Sequence, residues 1–142
     1  MSKWIFWMVA LTLFFAFSSP SLLQADEASE RKALEAAEKW LALVDKGEYG
    51  KSWEAAAEYF KGAVAENQWE QALDAIRGPL GKVISRKVKS KQYATSLPGA
   101  PDGEYVVIQF ETSFEKKKSA AETITPMKEK DGTWRVSGYF IK

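Results

Sequence analysis

The sequence predicts an α+β domain in which three N-terminal helices pack on one face of a four-stranded antiparallel sheet. Apolar residues recur at helical spacing as far as Ile76, whereas β-branched and aromatic residues alternate with polar ones from Val83 onward. Helices therefore come first and strands follow, and this order is typical of α+β rather than α/β domains.

The first predicted helix is amphipathic and ends at a glycine. Its apolar residues are Ala33, Leu34, Ala37, Trp40, Leu41 and Val44. Gly47 follows and can take the left-handed conformation that ends many helices. Asp45 lies at the carboxyl end, where the helix dipole disfavours a carboxylate, so we expect a specific partner to hold it.

Two shorter helices follow. The second is predicted from Tyr49, Trp53, Ala56, Ala57 and Phe60, and the third from Val64, Trp69, Ala72, Leu73 and Ile76. Asn67 and Glu70 resemble a capping box near the start of the third helix, and Gly78-Pro79 ends it.

Four strands complete the predicted domain, with the segment 105–114 at the centre of the sheet. One side of this strand carries Val106, Ile108, Phe110 and Phe114. The segment 83–97 is rich in lysine, which suits an edge strand. Pro126 in the third strand, 119–128, predicts an edge or a bulge. In the last strand, 133–141, we expect one face to carry Trp134, Val136, Gly138 and Phe140.

The first 25 residues have the pattern of a secretory signal peptide. Lys3 precedes an apolar block from Trp4 to Phe17, and Leu23-Gln24-Ala25 offers a small-residue exit. We therefore expect a periplasmic or secreted protein consisting of one domain, residues 26–142, with no membrane span after cleavage. The alternative is that the block is retained as an N-terminal anchor.

Composition excludes several classes of function. The chain has no histidine and no cysteine, which removes Ser-His-Asp and Cys-His catalysis and the usual zinc ligands. Lysine and arginine number 20 against 19 acidic residues, so the balance does not favour nucleic acid as a partner. No cofactor or metal motif is present, and we expect neither.

Several segments resemble the bacterial domain-of-unknown-function family 4019 (DUF4019). They are Trp40 to Gly47, Ser52-Trp53, Phe60-Lys61, Arg77 to Gly81 with Ser85-Arg86, Leu97 to Phe110 and Asp131 to Tyr139. The resemblance implies an exported domain with a cystatin-like or NTF2-like fold, and it carries no established activity or catalytic residue.

Five residues are candidates for ligand binding. Tyr49, Tyr105 and Tyr139 could orient a ligand because each ring adds apolar area while its hydroxyl fixes direction, although each could equally be a core aromatic. Trp53 is predicted to lie in the core. If it lies at the surface instead, we interpret it as a binding residue. Arg77 is a buried candidate, and the helix dipole alone would also explain a cation there.

Three hypotheses of function remain open. The favoured one is a non-enzymatic envelope domain that binds a small apolar ligand or an envelope protein through a groove between helices and sheet. The second is a small NTF2-like enzyme that performs carboxylate and tyrosine acid–base chemistry in a cavity. The third is a purely structural or accessory protein with an exposed aromatic patch. A packed interior argues against the first two, whereas a cavity with a lone carboxylate facing tyrosine favours the enzyme.

Overall fold

A computed structural model describes residues 20–142, with side chains from Leu22 onward. The helices are α1 (Pro20–Asp45), α2 (Tyr49–Glu54), α3 (Glu58–Ala63) and α4 (Glu66–Arg77), followed by a 3₁₀ turn (Gly78–Leu80). The strands are β1 (Val83–Ala94), β2 (Tyr105–Phe114), β3 (Lys117–Lys128) and β4 (Trp134–Ile141). The α+β class and the four antiparallel strands are confirmed.

The prediction of three helices is wrong, because the described residues form four α-helices. The expected second helix, from Tyr49 to Phe60, is divided into α2 and α3 at three successive alanines, residues 55–57. The Ala57 amide donates to the Val136 carbonyl at 2.8 Å, and the Glu58 amide donates to Glu129 Oε1 at 2.9 Å. These contacts with β4 and with the turn between β3 and β4 satisfy the backbone groups at the break, so tertiary structure overrides the local preference for helix.

The strands lie in the order β1-β2-β3-β4, so β1 is an edge strand as predicted. Its pairing with β2 is irregular at two places, between Val83 and Ser85 and between Val88 and Ser90. The β3 strand is interior rather than at an edge. Pro126 lies at a register shift between β3 and β4, which confirms the bulge and excludes the edge.

One face of the sheet, which we call the inner face, forms the core with α1. Val106, Ile108 and Phe110 from β2 are buried, as predicted from their alternation. The α1 helix contacts all four strands, and its Trp40 belongs to the same buried cluster. Trp134 is also buried there, and Trp53 packs against this cluster from outside.

The register shift changes which residues of β4 face inward. Val136 pairs with Pro126, but Tyr139 pairs with Ile124, so β4 gains one residue over β3 between these two pairs. The predicted face of Trp134, Val136, Gly138 and Phe140 is therefore wrong beyond Val136. Tyr139 faces inward beside Trp40, and Phe140 is 53% exposed.

The predicted signal block, Lys3 with Trp4 to Phe17, lies outside the described residues. Within residues 20–142, no helix combines the length and the apolar character needed to cross a bilayer. Helix α1 begins at Pro20 and runs through Ala25 and Asp26, the predicted cleavage position.

Candidate functional site

The inner face of the sheet contains a fully buried carboxylate. Glu122 of β3 is 0% exposed. It faces inward because the even positions of β3, such as Ile124, share the face of the core. A charge at such a position is stable only when other groups pair with it and donate hydrogen bonds to it.

Each of the other strands supplies one donor to Glu122. Arg86 of β1 donates through Nε to Oε1 at 2.7 Å and through Nη2 to Oε2 at 3.2 Å. The Thr112 hydroxyl of β2 donates to Oε1, and the Tyr139 hydroxyl of β4 donates to Oε2. Both oxygens therefore accept two hydrogen bonds, which uses the acceptor capacity of an ionised carboxylate.

Arg86 also joins the sheet to the carboxyl ends of two helices. It donates to Asp45, at the end of α1, through Nη1 to Oδ2 at 2.7 Å and through Nη2 to Oδ1 at 3.0 Å. Arg77, at the end of α4, donates through Nη2 to Asp45 Oδ1 at 2.9 Å. The expectation that a specific partner holds Asp45 is confirmed. We call Asp45, Arg77, Arg86, Thr112, Glu122 and Tyr139 the buried polar network, of which Asp45, with its side chain 28% exposed, is the end nearest to solvent.

The network shifts the pKa values of Asp45 and Tyr139. Burial alone would raise the pKa of Asp45, but hydrogen bonds and positive charge from Arg86 and Arg77 outweigh it and lower that pKa. Burial raises the pKa of the Tyr139 hydroxyl, and the Glu122 charge raises it further. Tyr139 therefore remains a hydrogen-bond donor.

Arg77 is the least satisfied member of the network. Its side chain is 4% exposed, and its Nε and Nη1 atoms meet no hydrogen-bond acceptor among the described residues. Its guanidinium carbon lies 5.0 Å from the centre of the Phe114 ring, a cation–π contact that partly compensates for the loss of water.

This arrangement differs from that of an acid–base site. Glu122 does face Tyr139, as the enzyme hypothesis requires, but it is not a lone carboxylate. A general base needs an accessible lone pair within hydrogen-bond reach of its substrate, and four hydrogen bonds from three side chains occupy those of Glu122. Residues 20–142 also contain no group of three acidic side chains that could hold a metal ion.

The structure brings together two of the five predicted binding residues, Arg77 and Tyr139, and separates the other three. Trp53 donates through Nε1 to the Val64 carbonyl at 2.8 Å. Tyr105 is buried outside the core cluster, and its hydroxyl donates to the Pro101 carbonyl at 2.6 Å.

Tyr49 lines a separate shallow groove between α2 and α4. The three tyrosines therefore do not share one ligand site.

Sequence reasoning missed Glu122, Thr112 and the inward role of Arg86. Glu122 could have been recognised from the alternation of the strand, because it lies between Ala120 and Ile124 on the apolar face. An acidic residue at such a position indicates that a cation or several hydrogen-bond donors lie close to it in the fold.

An open groove lies between α1, the α2–α3 segment and β4, and we call it the helix–sheet groove. Its volume is about 660 Å³. Trp40, Leu43, Trp134 and Val136 lie at its base. Charges of both signs surround them, and these are Lys32, Glu35, Lys39, Glu54, Glu58, Lys61 and Arg135. None of the buried polar network lines this groove.

Comparison with known proteins assigns the chain to a family. A search of curated proteins finds no match to the chain. The family described as "Protein of unknown function (DUF4019)" matches residues 36–139, a range that includes the whole buried polar network and most of the helix–sheet groove. The chain therefore belongs to the DUF4019 family.

Proposed function

We propose that the chain is an exported, non-enzymatic binding module with an NTF2-like or cystatin-like fold, and that it holds a segment of an envelope protein in the helix–sheet groove. The burial and the hydrogen bonds of Glu122 are the main support for a non-enzymatic role. Its carboxylate is buried and fully occupied, so the residue that most resembles a catalytic group serves the structure instead.

The shape and charge of the helix–sheet groove favour a protein segment over a small apolar ligand. Sites for small ligands usually bury most of the ligand surface in a cavity with apolar walls. Here the groove is open, and Lys32, Lys39 and Glu35 stand along one wall. A peptide can set its own charges against such a rim while an apolar side chain contacts the indole rings at the base.

Site-specific photocrosslinking in the native host tests this function. A benzoylphenylalanine at Thr133, which lines the groove, should give one defined protein adduct, whereas the same probe at the exposed Thr95 should give none. Reversing two rim charges with Lys32→Glu and Lys39→Glu should remove the adduct. The matched control, Lys91→Glu with Lys130→Glu, changes the charge equally outside the groove and should retain it.

Identical adduct patterns from both probe positions, or no adduct from Thr133, would refute groove binding. An adduct that survives the Lys32→Glu and Lys39→Glu changes would show that the rim charges do not select the partner.

Export is a separate part of the proposal, and Lys3 followed by the Trp4–Phe17 block supports it. Mass spectrometry of protein from the native host should find the N-terminus within a few residues of Asp26. Recovery of intact Met1 from the membrane fraction would instead show a retained anchor.

A further inference from the structure

The face of the sheet opposite the core, which we call the outer face, gathers lysines from three strands. The cross-strand pairs Lys87–Glu111, Glu111–Ala121 and Ala121–Lys142 form one row across it. This row faces away from the core because the adjacent Thr112–Ala120 pair faces inward. Lys89 and Lys118 line the same shallow groove, whose volume is about 710 Å³.

Positive charge on this surface is largely uncompensated. Its lining contains the side chains of Lys87, Lys89, Lys118 and Lys142 against a single acidic side chain, that of Glu111. Glu111 pairs with Lys87 at 3.2 Å. Arg86 also lines this groove, but its guanidinium group turns inward to Glu122.

An exposed aromatic side chain lies beside these lysines. The bulge that turns Tyr139 inward turns Phe140 outward, where it is 53% exposed and pairs with Thr123. Lys142 is two residues further along, and alternation places it on the same face as Phe140. Phe140 therefore offers an apolar group close to the charge of Lys142.

We propose that the outer face, defined by Lys87, Lys89, Lys118, Lys142 and Phe140, docks on a lipid bilayer whose headgroups carry anionic phosphate. Lysines attract an anionic bilayer over about one Debye length, and an aromatic ring inserts at its interface. This combination favours a bilayer over a soluble polyanion such as polyphosphate, which has no apolar group for Phe140 to contact. The outer face is separate from the helix–sheet groove, so the two proposals fail independently.

The absence of cysteine allows a local test in the full chain. A single Ala121→Cys substitution places an environment-sensitive fluorophore on the outer face. Its emission reports contact at this face alone, so any insertion of the N-terminal apolar block, which every variant shares, does not mimic the signal. We expect a blue shift with vesicles containing phosphatidylglycerol and none with vesicles of phosphatidylcholine alone.

Charge-reversal variants then show which lysines contact the bilayer. Each lysine near an anionic bilayer strengthens binding about fivefold, so Lys89→Glu with Lys118→Glu should weaken the vesicle response about 30-fold or more. Lys91→Glu with Lys130→Glu changes the net charge equally, and it should leave the response within about threefold of the parent. Phe140→Thr keeps the charge and should weaken the response at both low and high salt.

Three outcomes would overturn the proposal. The first is the absence of a blue shift with anionic vesicles. The second is an equal loss of response in the test and control double variants. The third is a response to soluble polyphosphate that matches or exceeds the response to vesicles, which would identify a soluble polyanion as the occupant.

Discussion

Replacing Arg86 with methionine is the sharpest test of the buried polar network. Arg86 supplies two of the four hydrogen bonds to Glu122 and two of the three to Asp45. Without it, a carboxylate that is 0% exposed keeps only the neutral hydroxyl donors of Thr112 and Tyr139. Breaking a buried ion pair in this way costs about 3–5 kcal/mol, against a total stability of about 5–15 kcal/mol.

Urea unfolding measures this loss. With an m-value of about 1.5 kcal/mol per molar urea, the midpoint for Arg86→Met should fall by about 2–3 M. Arg135→Met is the matched control, because Arg135 is 38% exposed and lies 3.6 Å from Asp131. An exposed pair of this kind contributes less than about 1 kcal/mol.

A double variant separates the charge effect from lost packing. Arg86→Met combined with Glu122→Leu removes both charges, so no unpaired carboxylate remains in the core. We expect the double variant to be more stable than Arg86→Met alone. The reasoning would be refuted if Arg86→Met costs no more than Arg135→Met, or if the two changes in the double variant simply add.

Four further predictions concern single substitutions. The pKa of Asp45 is lowered below its usual 3.8, because the hydrogen bonds and charges of two arginines outweigh burial. Its contribution is therefore present above that pH, and the stability gap between the parent and Asp45→Asn should close as acid titration passes below it. Tyr139→Phe removes a donor from the buried carboxylate and should lower the unfolding free energy by about 1–3 kcal/mol. Tyr49→Phe should change it by less than about 0.5 kcal/mol in the same denaturant titration, since Tyr49 is only half-buried and lines an open groove. Thermal unfolding should show that Gly47→Ala, at φ 78°, loses about 1 kcal/mol, whereas Gly62→Ala within α3 gains about 0.5–1 kcal/mol.

The parts of the fold that follow a simple period were predictable from the sequence. The β2 strand keeps strict alternation through Val106, Ile108 and Phe110, and the structure buries those residues. In β4 the same reasoning placed Phe140 inward and Tyr139 outward, because a single extra residue exchanges the faces of everything after it. A bulge depends on pairing with a partner strand, so the alternation of β4 alone could not locate it.

The candidate site was harder to predict than the fold because its residues are far apart in the sequence. Asp45 and Arg86 are 41 positions apart, and Arg86 and Glu122 are 36 apart. The unfavourable place of Asp45 at a helix end was informative, and it correctly indicated a partner. The local sequence does not indicate the break between α2 and α3, because the segment Glu54 to Glu58 is rich in alanine and glutamate, which favour helix.

The sequence separation within the buried polar network also governs the order of folding. A contact that closes a loop of about 40 residues costs more chain entropy to form than a local contact does. The bonds from Arg86 to Asp45 and Glu122 require α1, β1 and β3 to be in place, so we expect them to form after the rate-limiting barrier. Removing them should then accelerate unfolding while refolding keeps nearly its parent rate. The buried polar network would thus slow unfolding, and it would set the lifetime of the native state more than the rate at which that state forms.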